Sequence, residues 1–198
     1  MILVGLTGGI GSGKTTVSAA LAQRGAVIVD ADAIVHELQA PGTPVLAAMV
    51  KEFGEEILDS SGQLNRAAVA HRVFGDQAAL ARLGEIVHPP VREEIFARVL
   101  AEADTDHVVV LDIPLLTESG WEGLIGTIVV DLDPAVAVER LVAHRGFSRE
   151  DAEARIARQA TREERREKAA IVIDNSGTLV DLEPQIEKAW EWIESHRN

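Results

Sequence analysis

Runs of consecutive apolar residues alternate along this chain with longer segments in which apolar residues recur every three or four positions. Five of these runs contain many β-branched residues, and they cover residues 2–4, 26–29, 107–111, 127–131 and 171–173. Continuous apolar runs of this length are typical of strands buried on both faces, whereas the periodic segments are typical of helices. The alternation predicts an α/β fold, namely a three-layer α/β/α sandwich around a five-stranded parallel sheet.

The segment between the second and third runs is long and contains only helical patterns. Asn65 and Asp76 each precede such a pattern, and both are predicted to cap a helix. The sequence His88-Pro89-Pro90 predicts a break between two helices, because proline disrupts a helix interior. A crossover between parallel strands needs only about a dozen residues. Residues 35–105 therefore predict a helical substrate-binding insertion, and a plain helical crossover is the alternative.

A glycine-rich segment follows the first strand and carries the clearest chemical signal. Gly8, Gly13, Lys14 and Thr15 match the phosphate-loop pattern G-x-x-x-x-G-K-[ST], and a helical pattern over residues 16–23 follows. Glycines allow the backbone N–H groups to point inward at a phosphate, and the helix N-terminus adds its positive dipole. A lysine can follow the phosphate charge, and a threonine hydroxyl can bind Mg²⁺.

Two competing interpretations of these glycines are weaker. The segment could be a glycine-rich turn with a chance Lys-Thr pair, but the strand before it and the helix after it favour the phosphate loop. The dinucleotide pattern G-x-G-x-x-G fails, because Lys14 stands where its last glycine would be.

Acidic residues follow the second and third strands. Ligands of open α/β sheets collect at the carboxyl ends of the strands, so Asp30, Asp32 and Asp112 are candidates for the site. We expect Asp32 to be functional and Asp30 to serve as a strand-end or cap residue. Asp112 is similar to the magnesium-associated acid of phosphate-loop enzymes, with a helix or turn cap as the alternative.

Charge and composition narrow the functional classes. The 198 residues carry a net charge of −13, which argues against a general nucleic-acid-binding protein. The absence of cysteine excludes disulfides and thiolate metal sites. The sequence shows no signal-peptide pattern and no apolar run of membrane-spanning length, so we expect a cytoplasmic protein with neither a membrane nor nucleic acid as partner.

Residues 140–168 are rich in arginine although the protein is acidic, which suggests a dedicated anion site. We expect Arg140 and Arg145, near a corner between two helices, to contact phosphate. For Arg155, Arg158 and the arginines that follow them, a solvated, salt-bridged helix surface is the favoured interpretation.

Several segments, in the same order and spacing from residue 2 to about 177, resemble the dephospho-CoA kinase family. They are residues 5–14 (GLTGGIGSGK), 30–32 (DAD), 88–89 (HP), 112–118 (DIPLLTE) and 174–177 (DNSG). The resemblance implies transfer of the γ-phosphate of ATP, with Mg²⁺, to the 3′-hydroxyl of the ribose of dephospho-CoA. That reaction is the last step of coenzyme A synthesis.

The resemblance also implies roles for individual residues. Lys14, Asp32 and Arg140 would be catalytic, with Asp32 as base or orienting group and Arg140 as the lid arginine. Thr15 would hold Mg²⁺ together with the ATP phosphates. ATP would be bound by Gly9, Ile10, Gly11, Ser12, Gly13, Lys14, Thr15, Thr16, Arg140 and Asn175, with Asn175 near the adenine. The acceptor would be bound by Asp32, His88, Arg92, Asp112, Leu115, Leu116 and Glu118.

The predicted organisation is a single phosphate-loop kinase domain. Its core comprises about residues 1–34, 106–139 and 169–198, its acceptor-binding insertion about 35–105 and its lid about 140–168. We expect a monomer or a weak homo-oligomer.

Three rival functions remain open. One is another small-molecule phosphate-loop kinase, acting on a nucleoside monophosphate or a sugar acid. A GTP-dependent switch protein is a second, but the Asn-Lys-x-Asp sequence that usually recognises guanine is absent. The third is a nucleotide-binding module without catalytic activity.

Overall fold

A parallel β-sheet forms the centre of the part of the fold that carries the phosphate loop. The computed structural model describes residues 1–114, 116 and 121–197. Its strands are β1 (Ile2–Gly8), β2 (Val27–Asp30), β3 (Val108–Asp112), β4 (Thr127–Asp131) and β5 (Ile171–Asp174). They form a five-stranded sheet in the order β2-β3-β1-β4-β5. β1 pairs in parallel with β3 and β4, and β4 pairs in parallel with β5. The predicted α/β class is confirmed.

The helices of the described residues lie between these strands or after the last of them. They are α1 (Lys14–Gln23), α2 (Ala31–Leu38), α3 (Pro44–Phe53), α4 (Arg66–Val73), α5 (Gln77–Ala101), α6 (Pro134–Arg145), α7 (Arg149–Ile156), α8 (Arg162–Glu167) and α9 (Leu179–Glu194). Within the part of the chain that the structure describes, no helix combines the length and apolar character needed to cross a membrane.

The chain divides into two compact units. The first comprises Met1–Val29 together with Glu102–Asn198, and the second comprises Asp30–Ala101. In the first unit, apolar side chains of the sheet pack against α1 and α9. Leu6 and Ile128 from the sheet, Leu21 from α1 and Ile186 from α9 are all 1% exposed or less. This core fixes the strand ends that carry the candidate site.

The second unit is helical and has its own core. Val45, Met49 and Phe53 of α3 pack with Ile57 and with residues of α4 and α5. The side chain of Asn65 accepts a hydrogen bond from Ala68 N, as predicted for the cap of α4. Polar caps of this kind satisfy backbone N–H groups that have no partner within the helix.

The predicted helix break at Pro89 and Pro90 is wrong. α5 continues through both prolines from Gln77 to Ala101. A proline inside a helix removes one backbone hydrogen bond and costs about 3 kcal/mol. The stripe of Val87, Ile95 and Val99, which lies on both sides of the prolines, is buried and offsets that cost.

We expect Ile186→Ala to lower the free energy of unfolding by about 2–5 kcal/mol, because the side chain is buried in the core of the first unit. Urea denaturation followed by circular dichroism measures the change. The control is Lys188→Ala on the exposed face of α9, which should change stability by less than about 0.5 kcal/mol. Equal stability of the two variants would contradict the described core.

Candidate active site

The phosphate loop connects β1 to α1 and depends on glycine at specific positions. Gly11 and Gly13 have φ angles of 79° and 84°, in the left-handed region that favours glycine. A Cβ atom on Gly8 would lie 2.6 Å from Ser12 Oγ and 2.7 Å from the carbonyl oxygen of Val130. The glycine spacing in the sequence thus reflects both backbone conformation and close packing.

Asn175 holds the phosphate loop from outside. Its buried side-chain amide donates a hydrogen bond of 2.7 Å to the carbonyl oxygen of Ser12. A Cβ atom on Gly13 would lie 2.2 Å from the Asn175 amide nitrogen, so only glycine leaves room for this contact. The predicted position of Asn175 near adenine did not include this contact, which joins residues 163 positions apart.

Arg140 joins the same network at the edge of an open cavity. Its Nη2 donates a hydrogen bond of 2.8 Å to the carbonyl oxygen of Asn175. The cavity has a volume of about 470 Å³, within the range of small-molecule sites. It is lined by Gly11, Gly13, Thr16, Arg140, Leu141, His144, Arg145, Asn175, Gly177, Thr178 and Leu179. The structure thus brings predicted ATP-binding residues together around one cavity.

Lys14 and Asp112 form an ion pair beside the loop. Asp112 ends β3, which is paired with β1, and its side chain is 3% exposed. The Lys14 ammonium donates to Asp112 Oδ1. A buried carboxylate needs a charged or hydrogen-bonding partner to offset its desolvation. The pair fixes the ammonium at the carboxyl edge of the sheet, where the phosphate loop begins.

The residues of the loop fit a magnesium ion that is shared with a nucleotide. Thr15 lies exposed in the first turn of α1, so its hydroxyl is accessible. Among the described residues, no group of three or more His, Cys, Asp or Glu side chains could hold a metal by itself. Mg²⁺ is often bound by few protein oxygens together with substrate phosphates. The donor set therefore fits binding through Thr15 and the ATP phosphates.

The predicted acceptor residues fall in three groups. Asp32, His88 and Arg92 belong to the second unit, where all three side chains are exposed. Asp112 and Leu116 belong to the first unit, and Leu116 is buried against Gly5 of β1. Leu115 and Glu118 lie outside the described residues.

Within the second unit, Asp30 caps a helix, as the sequence predicts, and the functional role of Asp32 stays a prediction. The Asp30 carboxylate accepts hydrogen bonds from the backbone N–H groups of Asp32 and Ala33, so it caps α2. The Asp32 side chain stands exposed in the first turn of that helix. His88 and Arg92 are four residues apart on one face of α5, with the Arg92 guanidinium 5.6 Å from the centre of the Phe96 ring.

Asp131 forms a buried ion-pair cluster that the sequence pattern did not predict. It ends β4, its side chain is 1% exposed, and it accepts hydrogen bonds from Arg162 and Arg166 of α8. Burial alone would raise the pKa of the Asp131 carboxyl, but the two guanidinium groups outweigh that effect and lower the pKa below its ordinary value. Arg162 and Arg166 therefore anchor α8 to the sheet, which the favoured interpretation as a solvated, salt-bridged helix surface did not include.

We expect Asp131→Asn to lower the free energy of unfolding by about 1–3 kcal/mol at neutral pH, because the ionised carboxylate and its charged hydrogen bonds are lost. The folded-state pKa is depressed, so the difference between wild type and variant should be constant above the unfolded pKa near 3.8. This difference in the free energy of unfolding should shrink as the pH falls through the lower folded-state pKa. Urea titrations over a pH series measure it, with exposed Glu163→Gln as control.

A difference that does not depend on pH would show that the Asp131 charge does not stabilise the fold. The same titrations therefore separate the charge of Asp131 from its packing.

A family model and a known relative that match this chain carry the same description. A sequence model of the dephospho-CoA kinase family matches residues 2–181. The dephospho-CoA kinase of Thermobifida fusca is 47% identical over 195 residues, which are 98% of this chain and 97% of that protein.

Two solved structures agree with this fold. A crystal structure of a Thermus thermophilus protein is 37% identical, has a TM-score of 0.81, and is matched over 96% of this chain and 97% of its own. The dephospho-CoA kinase from Campylobacter jejuni has a TM-score of 0.72 at 24% identity, with 98% and 97% covered, and supports the fold. With a family model matching most of its length and a relative 47% identical over nearly all of it, this chain belongs to the dephospho-CoA kinase family.

Proposed function

We propose that this chain transfers the γ-phosphate of ATP to the 3′-hydroxyl of the ribose of dephospho-CoA. The observation that carries the proposal is a complete phosphate loop in a chain that belongs to this family along most of its length. Asn175 holds this loop, and its Lys14 pairs with the buried acid Asp112. Phosphoryl transfer requires positioning and charge neutralisation more than covalent chemistry. The described residues supply N–H groups, an ammonium and guanidinium groups in one place.

In the proposed mechanism, the loop and Lys14 hold the ATP phosphates in a fixed orientation. When bound, Mg²⁺ would neutralise charge on the β- and γ-phosphates, with the Thr15 hydroxyl among its ligands. Asp32 accepts a hydrogen bond from the acceptor hydroxyl, or removes its proton, so that the oxygen is aimed at the γ-phosphorus. The new bond forms between that oxygen and phosphorus, while the bond to the β-phosphate oxygen breaks and releases ADP.

The predicted lid, residues 140–168, provides the remaining positive charge, chiefly through Arg140. Arg140 lies at the cavity beside the loop and is held by the Asn175 carbonyl. We expect the lid to exclude water, which would otherwise compete with the acceptor for the phosphoryl group. The proposal includes His88, Arg92, Asp112, Leu115, Leu116 and Glu118 as acceptor contacts. It also includes a cytoplasmic location and a monomeric or weakly self-associating state.

Dephospho-CoA should be the preferred acceptor in a coupled assay of ADP release. We expect kcat/KM for dephospho-CoA to exceed that for nucleoside monophosphates and sugar acids by at least about 1,000-fold, because those compounds lack most of its binding groups. Mass spectrometry of the product should show one added phosphate, and phosphorus NMR should place it on the ribose 3′-oxygen. Faster turnover of a nucleoside monophosphate or sugar acid would establish the rival kinase function.

Lys14→Ala and Asp32→Asn should each lower kcat by about 100- to 10,000-fold, the usual effect of losing a charge-stabilising or proton-accepting group. Both variants should keep the wild-type circular dichroism spectrum. Lys51→Ala and Asp104→Asn are the matched controls, since both side chains are exposed. Near-normal turnover by Asp32→Asn would contradict the role proposed for Asp32.

A further inference from the structure

A second side-chain amide contacts the phosphate loop, from the arginine-rich segment. The backbone N–H of Ile10 donates a hydrogen bond of 2.9 Å to the side-chain oxygen Oε1 of Gln159. Gln159 is half-buried and lies between α7 and α8. The two residues are 149 positions apart in the chain. The contact therefore links the loop directly to the segment predicted to be the lid.

The side chain of Ile10 strengthens this link. It packs against a small apolar cluster in which Val138 and Leu141 come from α6 and Ala152 comes from α7. Gln159 thus holds the backbone of Ile10, and the apolar cluster holds the side chain of Ile10. A displacement of α7 or of the turn at Gln159 would break one of these contacts or carry the loop with it.

The surroundings explain why this acceptor is an amide. The guanidinium of Arg165 also lies against the loop, since a Cβ atom on Gly9 would be 2.9 Å from its Nη2. A carboxylate at position 159 would accept the same hydrogen bond, but it would place a negative charge beside the expected phosphates. The amide satisfies the Ile10 N–H without that repulsion.

Gln159 and Asn175 hold the loop by two different kinds of backbone group, an N–H and a carbonyl. Asn175 donates to the carbonyl of Ser12, and Gln159 accepts from the N–H of Ile10. Between them lies Gly11, whose φ angle is in the left-handed region. Two fixed points on either side of Gly11 restrict the directions of the loop N–H groups before any phosphate binds, which lowers the entropic cost of binding.

We infer that Gln159 is a positioning residue for nucleotide binding, which acts by fixing the Ile10 N–H and thereby couples the loop to the arginine-rich segment. This role rests on the proposed function and deepens it. Gln159 orients the loop that holds the phosphates and takes no part in the transfer of atoms. Its effect should therefore appear in nucleotide affinity and in the loop itself.

The test compares Gln159→Met, which removes the acceptor at similar size, with Gln159→Glu, which keeps it but adds charge. Gln159→Met should weaken ADP binding, measured by calorimetry, about fivefold to tenfold, the effect of one neutral hydrogen bond. In the nucleotide-free protein it should also speed hydrogen exchange of the Ile10 amide, measured by NMR. The matched control is the same substitution at exposed Gln23, the last residue of α1, and Gln23→Met should leave both quantities unchanged.

Gln159→Glu should keep slow Ile10 exchange and yet bind ADP more weakly than wild type, with a loss that diminishes as salt is added. This separates the acceptor role from simple filling of space, for which methionine would serve as well as glutamine. Unchanged Ile10 exchange and ADP affinity in Gln159→Met would overturn the inference. Tighter ADP binding would also overturn it, because Gln159 would then compete with phosphate.

The same measurements keep this inference separate from the proposed function. ADP binding and amide exchange do not involve dephospho-CoA. If the wild type fails to phosphorylate dephospho-CoA while Gln159→Met shows the expected changes, the acceptor assignment fails and the role of Gln159 stands.

Discussion

The phosphate loop imposes the central constraint on the first unit. The N–H groups that bind phosphate must point inward, so the polar groups of the loop that face outward need partners elsewhere in the protein. Asn175 at the end of β5 and Gln159 between α7 and α8 supply two of those partners. The loop is therefore shaped by residues that follow it by about 150 positions or more, and a local glycine pattern alone does not determine its geometry.

The same edge of the sheet gathers buried charge. Asp112 ends β3 and pairs with Lys14, while Asp131 ends β4 and pairs with Arg162 and Arg166. Each acid is buried and each has a cationic partner, as the cost of desolvation requires. One pair fixes a predicted phosphate-binding cation and the other anchors α8. The ends of these two strands thus hold two different segments at the same edge of the sheet.

The parts predicted from sequence are those encoded locally. The phosphate-loop pattern, the strand runs and the cap residue Asn65 are contiguous signals, and the structure has each of them. Gln159 left no local signal, because its partner is distant in sequence. Asp131 ends a strand as Asp112 does, but only the three-dimensional contact with α8 distinguishes it. In α5 a local signal was misleading. Proline usually breaks a helix, but buried apolar residues before and after the two prolines keep this helix continuous.

The two prolines of α5 have a consequence for how that helix can open. Pro89 and Pro90 have no N–H groups, so the carbonyls of Glu85 and Ile86 lack their usual partners within the helix. The hydrogen-bond ladder is interrupted there although the axis continues. Fraying that starts at Ala101 meets this gap before it reaches the half that begins at Gln77. The helix is therefore least restrained by its own backbone hydrogen bonds next to His88.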